Sequence, residues 1–141
     1  MQLRKTIAPG ADGLSESIGL LAMRLAGGAL MAILHGWGKY GAYAERASKF
    51  PDPLGVSPEI SMGLTVFAEL ICAGLIVIGL ATRWAAVFGA ITMFVAAFVI
   101  HGDDPLRKQE LALMYLSIYT ALICLGPGRF SLDRVIYGRS G

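Results

Sequence analysis

Charged residues are scarce in this chain, and their scarcity excludes several classes of protein. Only 16% of the 141 residues are Asp, Glu, Lys or Arg, whereas 55% are hydrophobic. Soluble domains average about 25% charged residues. The net charge is +2, and the twelve Lys and Arg residues are scattered along the chain. Nucleic-acid recognition needs a basic cluster, so we expect no nucleic-acid partner.

Cysteine and histidine are rarer still, with two residues of each type. Cys72 and Cys124 lie in apolar runs and have neither the density of a disulfide framework nor the spacing of a metal-binding motif. Two His and two Glu are suitable ligand types for iron or zinc. The Glu-x-x-His spacing of di-iron bundles is absent, however, so we predict no metal site. The chain also carries no haem, flavin or iron–sulfur signature.

Long apolar runs dominate what is present. Four of them, at about 17–35, 60–81, 84–101 and 110–126, are close to the length that crosses a bilayer as a helix. The last three are joined by short turns and are therefore antiparallel neighbours, whereas residues 36–57 form one long loop between the first two. We predict a single all-α domain over residues 1–141, an integral membrane four-helix bundle with antiparallel up-and-down topology.

The distribution of basic residues favours one orientation in the membrane. Six Lys and Arg lie on the side of the termini and five on the other side, so both termini are predicted to be cytoplasmic. The first apolar run starts near Ile18, late for a signal peptide, and contains Arg24. We therefore expect the N-terminus to be retained.

Glu69 is the conspicuous exception to the apolar pattern. It lies inside the second run, and a charge within a membrane-spanning helix is costly and usually marks a functional site. If His35 ends the first helix, Arg24 lies about 16 Å below it, and Glu69 lies about 13 Å below Ile60. The sequence thus predicts that Arg24 and Glu69 share a depth and can pair.

Further polar residues fall in the same outer half of the predicted bundle. Together they predict an outward-facing ligand pocket lined by Arg24, His35, Lys39, Glu69, His101, Glu110 and Tyr115. The alternative is that these residues form satisfied structural pairs between helices. The pattern does not choose between the two, and it identifies no catalytic residue.

An ordered series of short motifs resembles the DoxX family of small bacterial and archaeal membrane proteins. The resemblance runs from about Leu20 to Asp133. The motifs are Arg24, His35-Gly36-x-x-Lys39, Phe50-Pro51-Asp52-Pro53-Leu54-Gly55, Phe67-Ala68-Glu69, Gly79-x-x-Thr82-Arg83, His101, Glu110, Tyr115 and Gly126-Pro127-Gly128-Arg129-Phe130-Ser131-Leu132-Asp133. The resemblance implies a four-helix protein of the bacterial plasma (inner) membrane. Family members have been linked to quinone-coupled sulfur oxidation and to membrane assemblies that handle redox stress.

Two functions follow as hypotheses. The first is a small membrane subunit of a redox or respiratory-type assembly, in which Arg24, Glu69 and a histidine hydrogen-bond a quinone and a partner subunit supplies electrons. The second is a non-enzymatic accessory, assembly or chaperone-like protein within a larger complex, with the long loop and the amphipathic C-terminal tail as contact surfaces. In both, the bilayer and other membrane subunits are the expected partners, and a quinone or similar molecule is the expected ligand of the first.

Overall fold

The computed structural model describes residues 13–137, which are helical and contain no β-strand. The predicted all-α class is confirmed for this part of the chain. The helices are α1 (Leu14–Gly41), α2 (Tyr43–Arg46), α3 (Pro58–Ile78), α4 (Thr82–Ile100), α5 (Leu106–Leu125) and α6 (Leu132–Tyr137). Of the described helices, α1, α3 and α4 are long and apolar enough to cross a membrane.

The first helix is longer than the apolar run that predicts it. It begins at Leu14 and continues past His35 to Gly41. Gly36 does not break it, because this glycine keeps right-handed helical dihedral angles (φ −66°, ψ −47°). The extra turn carries Lys39 on a rigid helix rather than on a loop, and it changes which residues of α1 and α3 lie at the same level.

Local sequence explains where α3 begins and ends. The Ser57 hydroxyl accepts a hydrogen bond from the Ile60 N–H, and Pro58 occupies the first helical position, where its missing N–H has no cost. At the other end Gly79 takes a left-handed conformation (φ +73°) that stops the helix. The next helix, α4, then starts at Thr82 after a connection of three residues, so the turn is short as predicted but lies at residues 79–81 instead of 82–83.

Tyr119 of α5 forms the centre of the core. Its ring packs against Gly89 of α4, where an added Cβ would come within 2.8 Å of the ring. Its hydroxyl donates a 2.8 Å hydrogen bond to the Gly27 carbonyl of α1. Small residues let helices approach closely in lipid, where burial of apolar surface alone does not hold them together.

At Gly36 the helices α1 and α3 lie very close together. A Cβ built on it would lie 2.5 Å from the Glu69 carbonyl oxygen and 2.8 Å from the Leu70 nitrogen, whereas one on Gly38 would meet nothing within 4 Å. We therefore expect Gly36→Ala to destabilise the protein by about 2–4 kcal/mol, because backbone atoms cannot move aside. Gly38→Ala, on the same helix, is the control and should change stability by less than about 1 kcal/mol. Unfolding by SDS in mixed micelles, followed by circular dichroism, measures both; equal losses would contradict the close-contact argument.

Candidate functional site

A cavity of about 420 Å³ lies between α3 and α4, beneath the loop that follows α2. Most of its wall is apolar, with Phe, Pro, Leu, Ile and Val side chains. Three ionisable side chains line it: Lys39 from α1, Glu69 from α3 and His101 at the end of α4. The cavity therefore combines a large apolar surface with a small polar group, as small-molecule sites usually do.

Glu69 is paired with Lys39. The Lys39 Nζ donates to the Glu69 Oε2 over 2.5 Å, and the two side chains are 29% and 7% exposed respectively. The continuation of α1 beyond His35 places the lysine at this level. A buried carboxylate needs a charged or hydrogen-bonding partner, and here the partner itself lines the cavity.

Each of the three ionisable residues lies in or next to a π-helical stretch. Glu69 is within Phe67–Cys72, His101 follows Ala96–Ile100, and Lys39 is three residues after Ala32–Gly36. A π-helical turn inserts extra backbone into a helix and rotates the following side chains, and such turns are frequent at functional sites. The local backbone thus helps to orient these three side chains toward the same cavity.

His101 is held by the turn that connects α4 to α5. Its Nδ1 hydrogen-bonds the Asp104 Oδ2 over 2.8 Å, and the Gln109 side chain donates to the His101 carbonyl over 2.9 Å. The bonds from His101 and Lys108 keep the pKa of Asp104 below its usual value, so this carboxylate is ionised at neutral pH. An ionised Asp104 orients the imidazole by accepting from Nδ1.

The loop Phe50-Pro51-Asp52-Pro53-Leu54 covers the cavity, and Asp52 fastens it. The carboxylate of Asp52 accepts from the Ser61 hydroxyl (2.8 Å) and from the N–H groups of Val56 and Ser57 (3.0 Å each). The Ser61 hydrogen bond is the main reason that the pKa of Asp52 lies below its ordinary value of 3.8. These bonds are therefore fully present at neutral pH and are lost only as the pH falls through that lowered pKa.

The predicted pair of Arg24 with Glu69 is not formed. Arg24 is 1% exposed, and its guanidinium donates to four carbonyl oxygens, of Ile76, Val77, Pro127 and Phe130. The depth estimate was wrong because α1 does not end at His35: Gly36 lies beside Glu69, so Arg24 is twelve residues, about 18 Å, from that level.

Two other predicted site residues contact each other beside the cavity. The His35 and Tyr115 rings meet edge-to-face with centroids 6.0 Å apart, and Tyr115 stacks on Tyr119 at 6.2 Å. Tyr115 lies within electrostatic range of Glu69. The predicted set thus divides, with Lys39, Glu69 and His101 lining the cavity and His35 and Tyr115 lying outside its wall.

A sequence model of the DoxX family matches residues 19–102 of this chain. The chain belongs to the DoxX family. Over 132 residues it is 30% identical to an uncharacterized protein of Haemophilus influenzae, covering 89% of this chain and 87% of that protein. Over 128 residues it is 31% identical to the inner membrane protein YqjF of Escherichia coli, covering 86% and 94% respectively. No solved structure matches it.

In this DoxX family protein Glu110 is separate from the cavity. It lies with Arg107 and Met114 in a different, open depression along α5. Glu110 and Tyr115 are five residues apart, which is about 140° around a helix of 3.6 residues per turn. Since Tyr115 is buried, Glu110 is exposed on another face. The prediction that Glu110 shares a pocket with the other residues was wrong. The helical spacing alone already indicates that Glu110 and Tyr115 lie on different faces of α5.

The sequence reasoning missed two carboxylates that organise the DoxX protein. Asp52 fastens the loop over the cavity, and the Asp133 carboxylate accepts from the N–H groups of Ala81 (2.7 Å) and Thr82 (2.9 Å) at the start of α4. The need for an acceptor such as Asp133 is visible in the sequence, because residues 79–81 include no Ser, Thr, Asp or Asn that could cap α4. A remote acceptor is then required for its first N–H groups.

Proposed function

We propose that this DoxX family protein binds a quinone-like ligand in the cavity beneath the Asp52 loop, as a small subunit of a redox assembly in the bacterial inner membrane. The name of the relative YqjF supports the inner membrane. We further propose that α5, twenty residues long, is a fourth span and that both termini are cytoplasmic. The cavity then lies toward the outer face of the membrane.

The observation that carries this proposal is an ion pair in a mainly apolar cavity of about 420 Å³. A quinone presents oxygens that accept hydrogen bonds, and its reduced form presents hydroxyls that donate. Lys39 supplies donors, Glu69 supplies acceptors, and an imidazole such as that of His101 can do either. The volume is within the range of about 300–1,000 Å³ that small-molecule sites have.

The hydroxyl groups in the same wall are already engaged. Ser61 donates to Asp52, Thr65 to the Ser61 carbonyl and Thr92 to the Phe88 carbonyl. Recognition of a ligand head group therefore falls to Lys39, Glu69 and His101. In this role the chain positions the ligand and exchanges protons with it, while a partner subunit supplies the electrons.

The test is whether the isolated protein binds quinone. We expect endogenous quinone to be found by mass spectrometry in the lipid extracted from protein purified in mild detergent. We also expect a benzoquinone with a decyl chain to bind the protein in nanodiscs with a roughly micromolar Kd. Nanodiscs without protein are the control. Absence of both endogenous quinone and measurable binding would contradict the proposal.

A second candidate function is a non-enzymatic accessory or assembly role in a larger complex. It is favoured by α6, whose Leu132, Val135, Ile136 and Tyr137 are exposed and are available to a partner or to the membrane surface. The two functions separate by substitution in cells. If the accessory role is correct, Asp52→Asn, which loosens the loop, should abolish function, and Glu69→Gln should leave it intact. If Glu69→Gln abolishes function and Asp52→Asn does not, the ligand site is supported.

A further inference from the structure

Part of the cavity wall lies on the surface of α3 and α4, two of the helices that are long and apolar enough to cross a membrane. In the middle turns of α3 and α4, four apolar residues of its wall are exposed on the outer surface: Leu64 and Phe67 on α3, and Phe88 and Ile91 on α4. Leu64 is 52% exposed and Ile91 55%. Because α3 and α4 are membrane-spanning segments, exposed residues in their middle turns contact acyl chains rather than water. We call these four residues the mouth.

The mouth lies at hydrocarbon depth. Phe67 is nine residues past Pro58, which places it about 14 Å along α3 from the start of the helix. The hydrocarbon core is about 30 Å thick, so this level is close to its middle. The Phe67 and Phe88 rings meet edge-to-face there, with centroids 5.4 Å apart, and form one edge of the mouth.

Toward the end of the helices that faces water, the cavity is lined by the loop. Phe50, Pro51 and Pro53 present apolar side chains to the cavity, and Asp52 is bonded to Ser61 of α3. A solute arriving from water meets this fastened loop first. A solute dissolved in the bilayer meets the mouth directly.

We propose that the ligand reaches the cavity sideways from the bilayer, through the mouth, and that it is an amphipathic lipid-soluble molecule with one compact polar head and a long apolar chain. The head hydrogen-bonds the Lys39–Glu69 pair, and the chain lies in the mouth against Leu64, Phe67 and Ile91. This inference rests on the proposed binding function of the cavity, and it adds the ligand's chain, its direction of access and the residues that admit it.

The test uses a substitution that makes the mouth narrower and leaves Lys39, Glu69 and His101 unchanged. Leu64→Trp is compared with Ile71→Trp, a residue on the same helix that is equally exposed (52%) and lies outside the cavity wall. The probes are a benzoquinone with a decyl chain and the same benzoquinone without a chain, each added to protein in nanodiscs. We expect Leu64→Trp to slow association of the chain-bearing probe about tenfold and Ile71→Trp to change it less than about twofold.

The two probes separate failure of this inference from failure of the proposed function. If wild-type protein binds neither probe, the proposed function fails, and this inference fails with it. If binding occurs and depends on Glu69, but Leu64→Trp and Ile71→Trp associate equally fast, the sideways route is overturned and the binding site stands. Equal affinity of wild type for the two probes would overturn the chain-binding role of the mouth.

Discussion

Replacing Arg24 with methionine is expected to destabilise the folded protein by about 3–5 kcal/mol, because it breaks a buried hydrogen-bond network. The guanidinium donates to Ile76 and Val77 over 2.8 and 2.6 Å, and to Pro127 and Phe130 over 3.1 and 2.6 Å. Hydrogen bonds from a charged donor contribute about 1.5–3 kcal/mol each, and bonds of one side chain are not additive. Methionine fills much of the space but leaves all four carbonyls without this donor.

Unfolding by SDS in mixed micelles measures the loss. The matched control is Arg83→Met, since Arg83 is exposed and donates to the Cys124 carbonyl over a longer distance of 3.4 Å. We expect the control to lose less than about 1 kcal/mol. Arg24→Lys should fall between the two, because an ammonium cannot reproduce the planar fork that spans two chain segments. Equal loss for Arg24→Met and Arg83→Met would refute the role assigned to Arg24.

The Arg24 network joins motifs that are far apart in the chain. The carbonyls it binds lie just before Gly79 and within residues 127–130, and the Asp133 N–H donates to the Gly79 carbonyl over 2.8 Å. An added Cβ at Gly79 would lie 2.5 Å from the Ser131 Cβ. The segments around Gly79 and Gly128 therefore assemble around Arg24 at one end of the helices. The cavity lined by Lys39 and Glu69 is nearer the other end, so the Arg24 network and the proposed ligand site are separate.

The sequence predicted the long helices and the position of Glu69 inside one of them, but it did not predict the partner of Glu69. Helix type follows from apolar length, and a carboxylate in such a run is visible without a structure. By contrast, which residues of two helices lie at the same depth depends on where each helix ends. In the sequence, Gly36 is equally compatible with the end of a helix and with a site of close packing. Only the contact of Gly36 with the Glu69 backbone decides that Arg24 lies at a different depth.

The loop over the cavity was outside the reach of sequence reasoning for a different reason. Its Phe-Pro-Asp-Pro residues indicate an extended or turning segment. They do not show which helix the Asp52 carboxylate will meet, since that depends on how residues 42–57 return to α3. The bond between Asp52 and Ser61 depends on the folded structure, and it holds the loop that lines the cavity between α3 and α4.

Glu69→Gln is expected to lower the affinity for a benzoquinone with a decyl chain by roughly 30–100-fold, or about 2–3 kcal/mol. Glutamine keeps the size of the side chain but removes the charge that holds the Lys39 ammonium at 2.5 Å. Lys39 is 29% exposed, so without the carboxylate it can turn toward the surface and leave the cavity. The ligand head then loses its acceptor and its positioned donor together.

The matched control is Glu110→Gln, which removes a carboxylate of the same chain from the exposed face of α5. We expect it to leave affinity unchanged within about twofold. Lys39→Met should lower the affinity about as much as Glu69→Gln. The double variant should lower it little further, because the two groups act as one unit. Unfolding measurements on the same variants distinguish a ligand-binding role of the Lys39–Glu69 pair from a purely structural one. A purely structural pair would make Glu69→Gln lose stability while ligand affinity stays at the wild-type value, and that result would remove Glu69 from the binding site.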